Sequence, residues 1–333
     1  MSDLVTLRPE GLYCAAGDFF IDPWRAVDRA VITHAHADHA RTGHRHVLAT
    51  AQSETVLRCR LGAGLPLQPL AYGESVLHRG VRISLHPAGH VLGSAQVRIE
   101  HGGQVWVASG DYFVTAGDER NPTCLPFEPL RCDCFITEST FGLPIYRWRP
   151  QAEVLAEIDA WWRANAAQGR ASVLQAYSLG KAQRLLAGVD AGIGPIAVHA
   201  SVAAINEAYR ATGVALPPTV LLDDRLTDAA LRRALVIAPP MAQASRPLGE
   251  HRVAFASGWM QLRSARRRPG LDRGFVLSDH ADWPGLQRAI AATGAERVIV
   301  THGQEAELVR WLQEQGLRAE SFRTVFGGAG EPD

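Results

Sequence analysis

Three imidazoles and one carboxylate fall within six positions in His34-Ala35-His36-Ala37-Asp38-His39, directly after the apolar run Ala30-Val31-Ile32-Thr33. Imidazole nitrogen and carboxylate oxygen suit Zn²⁺ and the first-row divalent ions near it. One short loop cannot close a shell around a single ion with all four groups. The alternation instead lets His34 and His36 point to one side while Asp38 and His39 serve a neighbouring ion. Matching donors recur downstream, each at a strand end. His90 sits in the glycine-flanked loop Pro87-Ala88-Gly89-His90-Val91-Leu92-Gly93, Asp111 follows Val105-Trp106-Val107-Ala108-Ser109 through Gly110, and His302 follows Val298-Ile299-Val300-Thr301. A carboxylate placed like Asp111 can bridge two cations. Assigning His34, His36, His90 and Asp111 to one ion, and Asp38, His39, Asp111 and His302 to the other, leaves room for a shared water. Singly, His90 or His302 is an ordinary hydrogen-bonded loop histidine; with the cluster they form a set. His44, His46, His78, His86, His101, His199 and His251 lack such a context and are assigned to surface or core.

These donors need elements that deliver them to one edge. Short strand-like runs fill the first part of the chain: Asp18–Asp22, Ala30–Thr33, Val47–Thr50, Val81–His86, Ala95–Glu100, Val105–Ser109 and Cys134–Thr137, with a helix over Glu54–Leu61. Near residue 147 the character changes. Apolar Val154, Leu155, Ile158, Trp161 and Trp162 predict an amphipathic helix over Gln151–Gln168. Strands and helices then alternate through Ser172–Ala176, Lys181–Ala187, Ile196–His199 and Ala203–Tyr209, with further buried strands at Thr219–Leu222, Leu235–Ala238 and Arg252–Ala256. That alternation argues a parallel α/β sheet. From Gly274 the first style returns, with strand Phe275–Leu277, helix Trp283–Ala292, strand Arg297–Thr301 and helix Glu305–Gln315. The expectation is one domain (1–146 and 271–333) interrupted by another (147–270).

A length of 333 residues fits about two domains, and 47% apolar content is ample for their cores. Net charge is zero, so attraction to phosphate must come from local patches and bound metal. Met1-Ser2-Asp3-Leu4 lacks a signal-peptide pattern and no apolar run reaches the roughly eighteen residues of a membrane span. Five cysteines (Cys14, Cys59, Cys124, Cys132, Cys134), odd in number and without framework spacing, fit a reducing cytoplasm. Cys132 and Cys134 read as alternate positions of an incoming strand rather than as metal ligands.

The assembled residues resemble the metallo-β-lactamase superfamily. His34 to His39 match its HxHxDH motif, His90 its third-motif histidine, Asp111 its fourth-motif aspartate, and Asp22 in Phe20-Ile21-Asp22-Pro23 its first-motif acid. Asp22 is expected to orient the histidine loop from behind rather than to bind metal. Thr137-Glu138-Ser139-Thr140, Ser278-Asp279-His280-Ala281-Asp282 and Thr301-His302-Gly303-Gln304 are similar to motifs A, B and C of the β-CASP nucleases. The resemblance implies an αββα sandwich with an inserted parallel α/β β-CASP domain. Tyr13 to Trp24 and Tyr177-Ser178-Leu179-Gly180-Lys181-Ala182-Gln183-Arg184 point further, to the bacterial ligase-associated DNA exonuclease group. That likeness implies a DNA substrate, a role in repair, and association with a DNA ligase and a helicase.

The chemistry expected is hydrolysis of a phosphodiester assisted by two divalent ions, with Zn²⁺ or Mn²⁺ suited to donors that lack thiolates. Asp38 is grouped with Glu138 and His280 as catalytic; His280 is the general acid for the leaving oxygen, held in its protonated tautomer by Glu138. Ser139 and Thr140 are expected at a terminal phosphate. Tyr177, Ser178 and Lys181 join them, because the Ser178-Leu179-Gly180-Lys181 turn into a helix favours an anion. Arg266, Arg267 and Arg268, flanked by Arg263 and Arg273, are expected on the nucleic acid. An RNA exo- or endonuclease is the nearest rival reading, since the ion pair acts on phosphate and not on sugar. A thioester or lactam hydrolase, and a catalytically inert nucleic-acid scaffold, are rivals of other classes.

Overall fold

The computed structural model describes residues 3–115, 121–223, 225–243, 245–267 and 269–325. The chain divides into two compact units, Met1–Arg147 with His280–Pro332, and Trp148–Asp279.

The first unit holds two sheets. One runs β1 (Thr6–Arg8), β2 (Gly11–Cys14), β3 (Phe19–Ile21), β4 (Arg29–Val31), β5 (His46–Thr50) and β6 (Leu67–Leu70), neighbour to neighbour in that order. The other contains β7 (Ser75–His78), β8 (Val81–Pro87), β9 (Ala95–His101), β10 (Gln104–Ala108) and β11 (Cys134–Ser139), then β18 (Arg297–Gly303) and β19 (Arg318–Ser321) from the far end of the chain. Its order is β19-β18-β11-β10-β9-β8-β7, antiparallel from β7 to β10 and parallel from β10 to β19. Period-two alternation joins the sheets: Leu12, Phe19, Ile21 and Val31 of the first share one core with Ile83, Val97, Ile99, Ala108, Ile136 and Ile299 of the second. The opposite face of the second sheet, through Val107, Phe135, Val298 and Val300, packs on Leu286 and Ile290 of α6 (Trp283–Thr293) and Leu308 and Leu312 of α7 (Glu305–Glu314). α1 (Glu54–Leu61) follows β5.

The second unit is a six-stranded, wholly parallel sheet ordered β14-β13-β15-β12-β16-β17. Its strands are β12 (Ala171–Gln175), β13 (Ile196–Val198), β14 (Val220–Leu221), β15 (Leu235–Ala238), β16 (His251–Ala256) and β17 (Arg273–Phe275). One face, with Leu174, Val198 and Ile237, packs on α2 (Gln151–Ala167), α3 (Lys181–Leu186) and α4 (Ala200–Ala211); the other, with Val173, Ala197 and Val236, meets Leu231 of α5 (Asp228–Leu231). Burial on both faces explains why these strands read as unbroken apolar runs. The chain is of the α/β class.

The structure departs from the sequence expectation in places. The strand expected at Phe275–Leu277 lies at Arg273–Phe275 and pairs with β16, so it completes the second sheet instead of opening the return. The second unit runs from Trp148 to Asp279. β1, β2, β6, β7 and β19 were not anticipated. They are three- or four-residue strands, too short to carry a periodic signal; β2 is wholly buried, and the others are partly exposed edge strands.

A buried charge group ties α3 to the last residues of the second unit. Asp279 accepts from Arg184 Nη1 at 3.0 Å and lies 3.1 Å from Lys181 Nζ, while Arg184 also bonds the Ser278 carbonyl and Gln151. Removing the carboxylate leaves two cations buried without a counter-charge. Asp279→Ala should therefore cost about 3–5 kcal/mol, read as a shift in the denaturant midpoint of unfolding.

Candidate metal centre

Parallel strands deliver their polar groups at their C-terminal ends, and β10, β11 and β18 do so with Asp111, Glu138 and His302. Between Thr137 and Ser139 the β11–β18 register slips, Thr137 opposing Val300 and Ser139 opposing Gly303. This irregularity aims Glu138 and His302 off the regular pleat. The two strand ends approach so closely that a Cβ on Gly303, whose φ is +93°, would sit 2.4 Å from the Ser139 backbone. Gly110, at φ +55°, similarly lets the turn into Asp111 close on Thr33, 2.7 Å from where a Cβ would stand.

Among the described residues four donor groups result: Asp22 with His34 and His39, Asp111 with Glu138 and His280, and two that converge on the centre. His34, His36, His90 and Asp111 offer ligand atoms within 4.8 Å of one another, and so do His39, Asp111 and His302. Asp111 belongs to both: its Oδ2 is 3.4 Å from His34 Nε2 and 3.5 Å from His39 Nε2, and its Oδ1 is 3.1 Å from His302 Nε2. His36 Nδ1 lies 3.1 Å from His34 Nε2 and 3.0 Å from His90 Nε2. Asp38 stands at the margin, Oδ2 3.7 Å from His39 Nε2, and is in neither group.

Hydrogen bonding behind the rings fixes which nitrogen faces inward. Thr33 Oγ1 donates to Asp22 Oδ2 at 2.5 Å, so it accepts from His34 Nδ1–H at 3.0 Å. Asp22 also accepts from His39 Nδ1 at 2.7 Å and from the Thr33 backbone N–H at 2.7 Å. At the other strand, Thr301 Oγ1 donates to the Thr137 carbonyl and accepts from His302 Nδ1–H at 3.1 Å. Holding Nδ1 from behind turns Nε2 of each ring toward Asp111, where an ion that displaced the Nε2 proton would meet a lone pair. Ser94 Oγ accepts from the His90 and Val91 N–H groups, and Asn121 Nδ2 donates to the His90 carbonyl, which hold that loop.

Electrostatics agree with a cation site. Burial pushes the His34 imidazolium well below its ordinary range, His39 adding to the effect, so His34 is a neutral donor. Burial also opposes charge on Asp111, but His39, His280 and His34 with the His302 hydrogen bond outweigh it and hold the carboxyl well below the usual range. His39 is buried too, yet Asp111, Asp38 and the Asp22 hydrogen bond push it up to about 10. Three carboxylates thus favour positive charge where the rings converge. A buried set of carboxylates and imidazoles whose Nε2 atoms face inward fits a divalent ion of the zinc or manganese kind.

Beside this set stands a second pair. His280 Nδ1 donates to Glu138 Oε2 at 2.8 Å, and its ring centroid lies 4.5 Å from that of His90. Glu138 is fixed in turn by the Tyr112 backbone N–H at 2.8 Å and Thr140 Oγ1 at 2.5 Å.

Other expected substrate groups are placed differently. Ser139 is fully buried, and its hydroxyl donates to the Thr301 and His302 carbonyls, so it closes the strand ends and is not available to phosphate. Thr140 supports Glu138. Lys181 is buried against Asp279, and the Gly180 N–H is taken by Gln183 Oε1, so the turn offers no open anion site. Ser178 Oγ meets Ser201 Oγ at 2.9 Å, and Tyr177 packs edge-on to Phe255. Arg266 and Arg267 are exposed, Arg266 reaching the Met260 carbonyl, and Arg273 pairs with Glu157. Arg268 lies outside the described residues. The sequence reading missed Thr33, Thr301, Tyr112 and Arg60. The first two had a visible signal: each is a strand-end threonine directly before a histidine of the cluster, Thr33-His34 and Thr301-His302. Arg60, in the last turn of α1, had none; its Nη1 donates to the Ala35 carbonyl inside the histidine loop.

No family model matches this chain. Over 315 residues it is 34% identical to a probable DNA ligase of Opitutus terrae, covering 93% of this chain and 30% of that protein. It is 32% identical over 124 residues to the endoribonuclease YSH1 of Candida albicans, 37% of this chain and 14% of that one. It is also 32% identical over 111 residues to cleavage and polyadenylation specificity factor 73 of Drosophila melanogaster, 33% of this chain and 16% of that one. The chain thus spans less than a third of the length of each of these relatives. In fold it is similar to a protein of unknown function from Enterococcus faecalis, with a TM-score of 0.60 at 12% identity over 91% of this chain and 80% of that one. These likenesses are consistent with the metallo-β-lactamase and β-CASP superfamily.

Asp22 touches three groups of the histidine loop and none of the converging lone pairs. Asparagine tolerates its φ of 42° but puts a donor where an acceptor is needed. Asp22→Asn should keep the fold and weaken divalent-ion affinity about 10–100-fold, measured by zinc titration against a chelator.

Proposed function

We propose that this chain is a metal-dependent nuclease, a phosphodiesterase that acts on DNA from an end and serves repair. The observation that carries the reading is the Glu138–His280 pair set beside two donor groups that share Asp111. His34, His36, His90 and Asp111 would hold one divalent ion, and His39, Asp111 and His302, with Asp38 at the margin, a second. Bound there, two ions supply Lewis acidity toward the phosphate and a water activated near neutral pH.

The chain's own residues do the rest. Glu138 accepts from His280 Nδ1 and so turns Nε2 away from itself, toward the donors. In its protonated form His280 gives the Nε2 proton to the leaving oxygen, and Glu138 stabilises the imidazolium while that proton is present. Tyr112 N–H and Thr140 Oγ1 keep Glu138 from rotating. Burial of His280 and Glu138 keeps bulk water from competing for this proton.

DNA is favoured because the likeness that spans 93% of this chain is to a protein named a probable DNA ligase, which also supports a joint role with ligation. A helicase partner rests on the motif resemblance alone. The second reading, an RNA nuclease, is supported by the shorter matches to proteins named as an endoribonuclease and a cleavage and polyadenylation factor. Among the described residues no helix is long and apolar enough to cross a membrane.

Zinc- or manganese-loaded protein incubated with 5′- and 3′-labelled DNA and RNA should shorten DNA progressively from one end. Chelation should abolish the ladder and metal should restore it; equal cutting of RNA would favour the second reading. His280→Ala should keep its metal by elemental analysis but lose about 10²–10⁴ in turnover. Near-normal turnover would remove His280 from the reaction.

A further inference from the structure

α1 ends with two arginines in contrasting states. Arg58 makes three hydrogen bonds: Nε bonds Glu54 at 2.8 Å, and Nη1 bonds the Ala63 and Leu65 carbonyls at 2.7 and 3.1 Å. Arg60 makes a single hydrogen bond among the described residues, from Nη1 to the Ala35 carbonyl, and no ion pair. That carbonyl lies between His34 and His36, and Ala35 is fully buried, so the guanidinium is pinned against the histidine loop. A guanidinium carries five N–H donors, and one is enough for a tether. Arg60 is half-buried. Burial disfavours the Arg60 cation, and the charge of nearby Asp38 only partly offsets it. Partly desolvating a cation without a paired anion is unfavourable unless something else supplies the anion.

We propose that Arg60 forms a second phosphate subsite, which takes the phosphodiester next to the one being cut. The assignment rests on the nuclease reading above. Its anchor, the Ala35 carbonyl between His34 and His36, sets the guanidinium beside the donors, and there it would hold the strand one step away from the reacting phosphate. Its planar fork suits two oxygens of one phosphate group, and its tether to Ala35 removes much of the entropy of fixing a long side chain. Binding there sets the register of the strand against the metal donors without touching the bond that breaks. A single-phosphate substrate cannot use it.

The test compares unmodified protein with Arg60→Gln and Arg60→Lys, all loaded with zinc. Arg60→Gln should raise KM for a single-stranded DNA oligonucleotide about tenfold or more, the worth of a charged hydrogen bond, with the loss falling on KM rather than kcat. The penalty should shrink on bis(p-nitrophenyl) phosphate, which has no neighbouring phosphate. A binding readout stands apart from turnover. For a nuclease-resistant phosphorothioate oligonucleotide, the slope of log affinity against log salt should fall by about 0.7 in Arg60→Gln and persist in Arg60→Lys. Equal loss on both substrates together with lowered zinc content would overturn the subsite and make Arg60 a support of the loop. An unchanged salt slope would overturn it outright. Binding that depends on Arg60 in a protein that cuts neither substrate would support the subsite and overturn the catalytic reading.

Discussion

Everything at the centre depends on one constraint: an imidazole has two nitrogens, and the outer one must be occupied before the inner one can serve. Thr33, Asp22, Thr301 and Glu138 meet it for His34, His39, His302 and His280. Each acceptor is held in turn. Asp22 collects the Thr33 hydroxyl, the Thr33 N–H and the His39 ring on one carboxylate, so the first strand end and both ends of the histidine loop share one anchor. Four rings with several rotamers each become a fixed array because each outer hydrogen bond has one solution.

The scaffold satisfies this constraint through sheet topology. The switch from antiparallel to parallel pairing at β10 brings three strand ends to one edge, and Asp111, Glu138 and His302 ride on them. The register slip beside Glu138 and the close approach at Gly303 show where regular pairing yields to the geometry of the site. Ser139 then closes the seam by bonding across it to the carbonyls of Thr301 and His302.

Much of this was legible in the residues. The clustered histidines and Asp111 stand out because metal chemistry restricts residue type and spacing, and α2, α6 and α7 because sustained helical periodicity survives in any tertiary setting. Short edge strands such as β1 and β7 did not, since three or four half-exposed residues carry no period. The misplaced groups share one cause. Ser139, Thr140 and Lys181 are polar residues in a suggestive neighbourhood, and sequence alone does not reveal whether a polar group faces a ligand or a carbonyl of its own chain. In the structure they are buried and engaged with Thr301, Glu138 and Asp279. Arg60 is the converse case, a surface-helix arginine whose position beside Ala35 only the packing of α1 discloses.

The seam between β11 and β18 joins residues more than 160 positions apart. Ribosomes deliver the chain from its amino end, so the early strands, with the histidine loop and Asp111, emerge long before the partner that completes the edge. Contacts this remote in sequence form late, after the loop between them has closed. Until then His302 is missing from its group, and the second donor set is open. On this ordering a half-made molecule carries an incomplete centre, and the donor set closes only with the last strand pairing.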